Sequence, residues 1–497
     1  MTHPAIPHMA QQVTAGAAHT LMPVSHEPDS EHEAPRRPAG RHVARNTAIF
    51  SIATGASRVA GLAREVVASS YFGTSGPFSA FTIAFQVPNV VRSLFADAAL
   101  SAAFVPVFTE LLEKGRKREA FRLASTLFFL ILAALGAITA LFVLLAPEIM
   151  PLFTGGKFDR ELDHLTVGLS RVLFPIVVLL GLNGLVVGIL NAYDHFTIPA
   201  LSPLVWNVVI IVVLVTTKPW FSGDDEMYAY AIGVLAGTVV QFAMAVPVLR
   251  RVGFEIAWAF DLRDPRVKRV LLLMLPVTIG LGLINFNAVV NSALGALVSD
   301  EAPRAIDAAF RIYMLPQGIF SVAIATVLFP ALSRLASRRD LDGLRELCAT
   351  GLRLIFLMLL PAAAATLVLS EPITRLIYER GSFDAGSTEL VSSALLWFSF
   401  SLPFNGINLL LTRTFFSLQR PWATTALSAL NIAVNIAVSV ALYRPFGIPG
   451  IVAGTAVASI AMVAAQAILL RRMLGGRLEG ARTVAATLRM LVAAAAL

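Results

Sequence analysis

Leu123 to Pro147 reads LASTLFFLILAALGAITALFVLLAP, a stretch without a single charged residue. Wound as a helix at 1.5 Å per residue, it reaches about 37 Å, enough to cross a hydrocarbon core about 30 Å thick. Uncharged stretches recur at 172–190, 204–217 and 354–369. The whole chain therefore reads as an all-α polytopic membrane protein. Its composition agrees: 57% of residues are hydrophobic, 14% are charged and the mean hydropathy is +0.74, whereas soluble chains carry about 25% charged residues. A soluble enzyme, a secreted disulfide scaffold and a nucleic-acid-binding domain are excluded. The net charge of +8 then belongs to loops on one side of the membrane. The single cysteine, Cys348, permits no internal disulfide and no cysteine metal cage.

Working outward, helices are expected at 46–71, 78–112, 120–146, 165–191, 199–217, 227–249, 267–298, 303–333, 344–369, 386–417, 421–443 and 448–472, separated by Gly and Pro breakers. Residues 1–44 hold six of the eight histidines, several prolines and no apolar period, and read as a disordered tail. A thirteenth apolar segment starts near Arg482, within a linker and incomplete helix spanning 474–497. It is too short to cross, so the sequence is expected to end inside a helix. Basic residues mark alternate loops, including Lys114 to Arg118, Arg263 to Arg269 and Arg334 to Arg339. The intervening loops carry acids such as Asp159, Asp224, Asp300 and Glu301. The positive-inside bias puts the basic loops and the N-terminus in the cytoplasm of a cell whose inner membrane the chain spans.

The sequence also repeats. Phe104-Val105-Pro106 and Leu328-Phe329-Pro330 stand 224 positions apart, as do Trp206-Asn207 and Leu430-Asn431. Gly156-Lys157-Phe158-Asp159 resembles Gly381-Ser382-Phe383-Asp384, and Ala236-Gly237-Thr238 resembles Ala453-Gly454-Thr455. An even number of helices per copy keeps both copies in one orientation. The expectation is two six-helix bundles, 45–252 and 253–473, related by a pseudo-two-fold along the membrane normal, with a substrate site between them.

Arg58, Arg64, Arg92 and Arg311 fall inside expected helices. An arginine at mid-membrane costs about 2.5–3.5 kcal/mol on insertion scales, and such residues usually face a hydrated cavity. Snorkelling to the interface is the bland alternative. Glu65 and Asp97 are the acids nearest to them and could neutralise one or two. The remaining positive charge suits a polyanion, because guanidinium pairs in a bidentate way with phosphate or carboxylate. A diphosphate is the simplest such ligand. The second half offers amides instead: Asn285, Asn287 and Asn291 on one expected helix, Asn431 and Asn435 on another. These can be interhelical hydrogen-bond glue or a weak cation site. Pro88, Pro175, Pro276, Pro316 and Pro403 lie within helical runs and free backbone carbonyls. There is no P-loop, nucleotide fingerprint, zinc-protease motif or nucleophile elbow. The chain reads as a transporter without a cofactor.

Ser57-Arg58-Val59-Ala60-Gly61-Leu62-Ala63-Arg64-Glu65, Ala84-Phe85-Gln86-Val87-Pro88-Asn89-Val90-Val91-Arg92 and Phe95-Ala96-Asp97 resemble the MurJ (MviN) family. Arg311-Ile312-Tyr313-Met314-Leu315-Pro316-Gln317-Gly318 resembles that family's eighth helix. These are lipid II flippases of the multidrug/oligosaccharidyl-lipid/polysaccharide exporter superfamily. The resemblance covers about 45–490 and implies export of undecaprenyl-diphosphate-linked disaccharide-pentapeptide by alternating access. It places substrate contacts on Arg58, Arg64, Arg92 and Arg311, with Ser57, Glu65, Asn89 and Asp97 beside them. It also implies lipid II and membrane lipids as partners, contacts with other cell-wall synthesis proteins, and a monomer. The chain departs from the family at Ser79, Phe310 and Met314, where many members carry acids. In some relatives a sodium site uses acids, an amide and a threonine. The matching positions here are Asn291, Asn431, Asn435 and Thr455, so both acids are amides. Transport is therefore expected to follow membrane potential and not to require sodium. The rivals are an exporter of another polyprenyl-diphosphate glycan and a multidrug antiporter, which would need carboxylates in its cavity.

Overall fold

The computed structural model describes residues 39–95, 97–193, 195–475 and 489–490. By contacts the chain divides into Met1–Arg45 and Asn46–Leu497. The described residues form sixteen α-helices and no strand: α1 (Ala39–Phe72), α2 (Gly76–Phe95), α3 (Asp97–Glu113), α4 (Lys117–Thr154), α5 (Arg160–Leu173), α6 (Ile176–Ala192), α7 (Thr197–Thr217), α8 (Met227–Arg251), α9 (Pro265–Ala296), α10 (Ala302–Pro316), α11 (Val322–Ser337), α12 (Leu341–Val368), α13 (Ser370–Tyr378), α14 (Ala385–Ser417), α15 (Pro421–Phe446) and α16 (Ile448–Met473). Among the described residues, nine helical stretches are long and apolar enough to span a membrane, including Lys117–Thr154, Arg160–Ala192 and Ala302–Ser337. The protein is a multi-pass membrane protein.

All twelve expected helical runs are present, and the differences have local causes. The first described helix, Ala39–Phe72, reaches into the stretch expected to be a tail. Residues 1–38 lie outside the described residues, as does most of the expected thirteenth segment. The run at 165–191 is cut at Phe174-Pro175 into α5 and α6. The run at 303–333 is interrupted by a π-helical turn, Gln317–Ser321, directly after Pro316.

The repeated Gly-x-Phe-Asp motif builds the same corner twice. Asp159 accepts from the Leu162 amide at 2.7 Å and Asp384 from the Ser387 amide at 2.8 Å, each capping the next helix. Gly156 and Gly381 both adopt positive φ, and Phe158 and Phe383 are both buried. A backbone with φ near +60° favours glycine, since a Cβ would meet the neighbouring carbonyl. At Gly381 a Cβ would also strike the Ser70 carbonyl oxygen, 2.2 Å away.

Burial is divided between two hydrophobic cores. One is built from α1 to α9, with Phe78, Phe104, Phe108, Phe174 and Leu214 inside it. The other is built from α10 to α16, with Ile312, Ile355, Phe398 and Phe415. Helix α9 follows the boundary expected at 252/253, yet its buried Val267, Val270, Met274 and Ala296 belong to the first core. Large apolar residues such as Leu144, Leu152 and Val327 are more than 70% exposed on the outside of the molecule. In a bilayer this costs nothing, because lipid chains replace water.

Candidate functional site

Helix α10 carries Arg304, Asp307 and Arg311 at spacings of three and four, so all three share one face. That face meets Glu65 of α1. Glu65 is 3% exposed and pairs with Arg64 at 2.6 Å, Arg311 at 3.1 Å and Arg304 at 3.3 Å. Asp307 pairs with Arg304 at 3.0 Å and with Arg311 at 2.8 Å. Three guanidinium groups and two carboxylates thus form one network with an excess of one positive charge. Each arginine is placed differently. The Arg304 guanidinium is 1% exposed, donates to Ser69 Oγ at 2.8 Å and lies 3.8 Å above the Phe78 ring. The Ser79 hydroxyl accepts from the Arg304 amide at 3.2 Å. Arg64 packs 4.8 Å over Trp206. Arg311 is the open member, with its side chain 32% exposed. Burying several charges is tolerable only when each is paired and hydrogen-bonded, and removing one partner strands the rest.

Arg92 and Asn89 form a second group on α2. Arg92 Nε donates to Asn89 Oδ1 at 2.9 Å, and Asn89 Nδ2 reaches Asn285 Oδ1 of α9 at 3.4 Å. Arg58 stands at a third place, exposed on α1, where its Nη1 lies 3.3 Å from the position a Cβ on Gly318 would occupy. Gly318 is in the π-helical turn, so the absent side chain and the widened turn together make room for a guanidinium. Ser57 contributes only its carbonyl, which accepts from Asn207 Nδ2 at 3.5 Å. The Asp97 side chain lies outside the described residues.

The structure therefore gathers Arg64, Glu65 and Arg311, leaves Arg92 with Asn89 and sets Arg58 apart. Sequence reading misses Arg304 and Asp307. Arg304 follows Pro303 and looks like a helix-end arginine, while Asp307 looks isolated. The available signal was the three-four spacing of charges on an apolar helix.

The cavity at the network measures about 20 Å³ and is lined by Glu65, Phe81, Tyr230, Arg304 and Asp307 among others. That is room for about one water, not for a ligand. A second cavity of about 410 Å³ shares Gln86 and Asp307 with it and extends between α9, α10, α14, α15 and α16. Amides dominate its polar lining, including Asn287, Asn291, Asn405, Asn408 and Asn431. Thr455 Oγ1 accepts from Asn291 Nδ2 at 3.2 Å and from Asn435 Nδ2 at 2.9 Å. The Oδ1 atoms of Asn291 and Asn435 are buried without a hydrogen-bond partner. These oxygens could face a cation, but the set contains no carboxylate. The acid on the cavity wall, Asp307, is already held by two arginines. Among the described residues no cluster of His, Cys, Asp or Glu could hold a metal ion. The set offers a cation neutral amide and hydroxyl oxygens and no free negative charge.

On the side of the acidic loops the two cores are joined tightly. The Ser382 amide donates to the Ser70 carbonyl at 2.8 Å, and Thr74 Oγ1 donates to Ser387 Oγ at 3.0 Å. The end of α1 is thereby held against the loop that opens α14.

Two packed helical cores with a charged network and a polar cavity beside their junction define a polytopic membrane protein with a polar interior. Solved structures bear out the fold: a lipid II flippase MurJ in an inward closed conformation matches with a TM-score of 0.78 over 90% of this chain and 91% of its own, at 24% identity. An inward-facing multidrug resistance MATE family transporter matches at 0.71 over 84% and 94%, at 15% identity. The family model described as lipid II flippase MurJ matches residues 68–497. The probable lipid II flippase MurJ of Rhizobium meliloti (strain 1021) is 32% identical over 411 residues, which is 82% of this chain and 76% of the relative. That of Rhizobium tropici is 33% identical over 410 residues, with the same coverage. The chain belongs to the MurJ family of lipid II flippases, which are transporters and not enzymes.

Proposed function

We propose that the chain carries lipid II from the cytoplasmic to the outer leaflet by alternating access, and that Arg58, Arg92 and Arg311 receive the diphosphate. Lipid II flipping is the activity its family is named for. The observation that carries the assignment of Arg311 is the unequal exposure within the network, while Arg92 and Arg58 stand outside it beside Asn89 and Gly318. Arg64 and Arg304 are buried against Trp206 and Phe78 and position the others, whereas Arg311 is partly open beside Asp307. An incoming diphosphate offers Arg311 a better bidentate partner than the carboxylates it shares. Its departure from Glu65 loosens the tie between α1 and α10. The twelve long helical runs form two six-helix bundles related by a pseudo-two-fold along the membrane normal, and α9, the first helix of the second bundle, packs into the first core. The tight contact on the acidic side holds the outer mouth shut. The chain works as a monomer with its N-terminus in the cytoplasm and draws on membrane potential, with sodium not required.

Purified protein reconstituted in vesicles should move lipid II to the opposite leaflet, and depletion in the native host should trap lipid II in the inner leaflet. Normal outward flux after depletion would overturn the reading. For orientation, Cys348 is first replaced, since it is buried. A cysteine then placed at exposed Ser222 should react with an impermeant thiol reagent added outside, while one at exposed Ser337 should not. The reverse pattern would invert the direction of transport.

A further inference from the structure

The connection between α8 and α9 has a pattern the transport site does not use. Residues 254–260 adopt no helix, and large apolar residues stand at Ile256, Trp258, Phe260 and Leu262. The backbone bends at Trp258, where the Ala259 amide donates to the Ala257 carbonyl at 2.8 Å, and the segment turns these side chains to the surface. The face they form is bare: Ile256 is 50% exposed, Trp258 94%, Phe260 59% and Leu262 51%. The segment is nevertheless docked. The Ala257 amide donates to Ser125 Oγ at 3.0 Å, Arg122 reaches Asp261 at 3.6 Å, and Trp258 stacks on Phe129 at 5.1 Å. All three partners lie on α4.

Their order along α4 fixes a level. Arg122 is exposed and charged, whereas from Leu132 outward α4 exposes apolar side chains, Leu141 and Leu144 among them. Phe129 is between the two, so Trp258 lies where the polar end of the helix gives way to its lipid-facing part. This is the depth at which tryptophan is enriched in membrane proteins. The surroundings are basic. The stretches 110–122 and 250–269 hold eleven Lys and Arg against six acids, with Arg118, Arg250, Arg251, Arg263 and Lys268 all exposed. Clusters of this kind next to a membrane helix attract anionic headgroups.

We propose that residues 256–262 form an interfacial anchor, with Trp258, Phe260 and their neighbours set into the headgroup–acyl boundary and the basic residues around them binding anionic phospholipid. The occupant of this apolar face is the bilayer surface itself. The anchor ties the connection from α8 to α9, both helices of the first core, to the leaflet on the basic side. It makes the protein sensitive to the anionic lipid content of that leaflet. Helices α8 and α9 flank it, so lipid composition acts on the placement of those two helices.

The test uses the full chain with Trp206, Trp220, Trp397 and Trp422 replaced by Phe, folding checked by circular dichroism, leaving Trp258 as the sole tryptophan. A second variant, Trp258→Phe in the wild-type background, supplies a difference signal should the first not fold. In vesicles, lipids brominated near the glycerol should quench Trp258 strongly, lipids brominated near the chain end should quench weakly, and aqueous iodide should have little effect. Brominated phosphatidylglycerol should quench severalfold more than brominated phosphatidylcholine, and Gln at Arg118, Arg250, Arg251 and Arg263 should abolish the difference. Strong iodide quenching without lipid quenching would overturn the anchor and leave the face to a soluble partner. Protection that grows with protein density at fixed lipid would assign it to a second copy and equally overturn it. Equal quenching by the two headgroups would overturn the anionic part. Quenching requires no transport, so a protein that anchors but does not flip lipid II separates this inference from the flippase reading.

Discussion

Two polar regions adjoin at Gln86 and Asp307, and they solve burial in opposite ways. Between α1 and α10, five formal charges pair with one another, with one positive charge in excess, beside a cavity of only about 20 Å³. Among α9, α14, α15 and α16, neutral amides line a cavity of about 410 Å³, and several amide oxygens have no partner. A charge cannot be left bare at low dielectric, so the first region must be filled and mutually paired. A dipole left bare costs much less, so the second can stay open. On the function proposed above, anion recognition falls to the first region, where opening the network would release guanidinium groups. The second is left to hydration and helix contact.

The sharpest way to break this comparison is to remove the most buried charge. Arg304→Leu takes the most buried partner from both Glu65 and Asp307, which keep only Arg64 and Arg311, and should cost about 3 kcal/mol, seen as a fall in the midpoint of thermal unfolding in detergent. An unchanged midpoint would show that the network is not a mutually dependent unit. Next in size is Arg311. Arg311→Ala should reduce lipid II flipping tenfold or more at normal protein level, and Arg311→Lys should recover only part, since the ammonium lacks the planar fork. Full recovery by lysine would mean that charge alone is read there. The smallest effect is expected in the amide region. Asn291→Ala and Asn435→Ala each remove one interhelical hydrogen bond to Thr455, worth about 0.6 kcal/mol in membranes, and should leave flipping intact when sodium is replaced by choline at fixed potential. Flipping that needs sodium and fails in Asn435→Ala would turn the amide cavity into an ion site and erase the distinction.

The helices were legible because each is a long uncharged run bounded by breakers, and lipid solvent makes that pattern nearly sufficient. The capped corners at Asp159 and Asp384 were legible as a repeated motif. Arg58, Arg64, Arg92 and Arg311 stood out as charges where none belong, but exposure divides them in a way no spacing reveals. Arg64 and Arg311 come to the same carboxylate, Arg92 to a neighbouring amide, and Arg58 to the gap above Gly318. Arg304 escaped notice because a proline before it and loop acids nearby gave it an ordinary explanation.

Composition and periodicity alone determined that this is an all-helical membrane protein with alternating basic and acidic loops and out-of-place arginines, because those follow from each segment's own affinity for lipid or water. Tertiary structure alone decided which charges meet. Glu65 and Arg304 are 239 positions apart, and only the packing of α10 against α1 and α2 brings them to 3.3 Å. The position of α9, followed by the second half in sequence yet buried in the first core, was likewise set by packing. A segment's partition into the membrane is a local free energy, readable residue by residue, whereas the pairing of buried charges depends on which helix faces fit together.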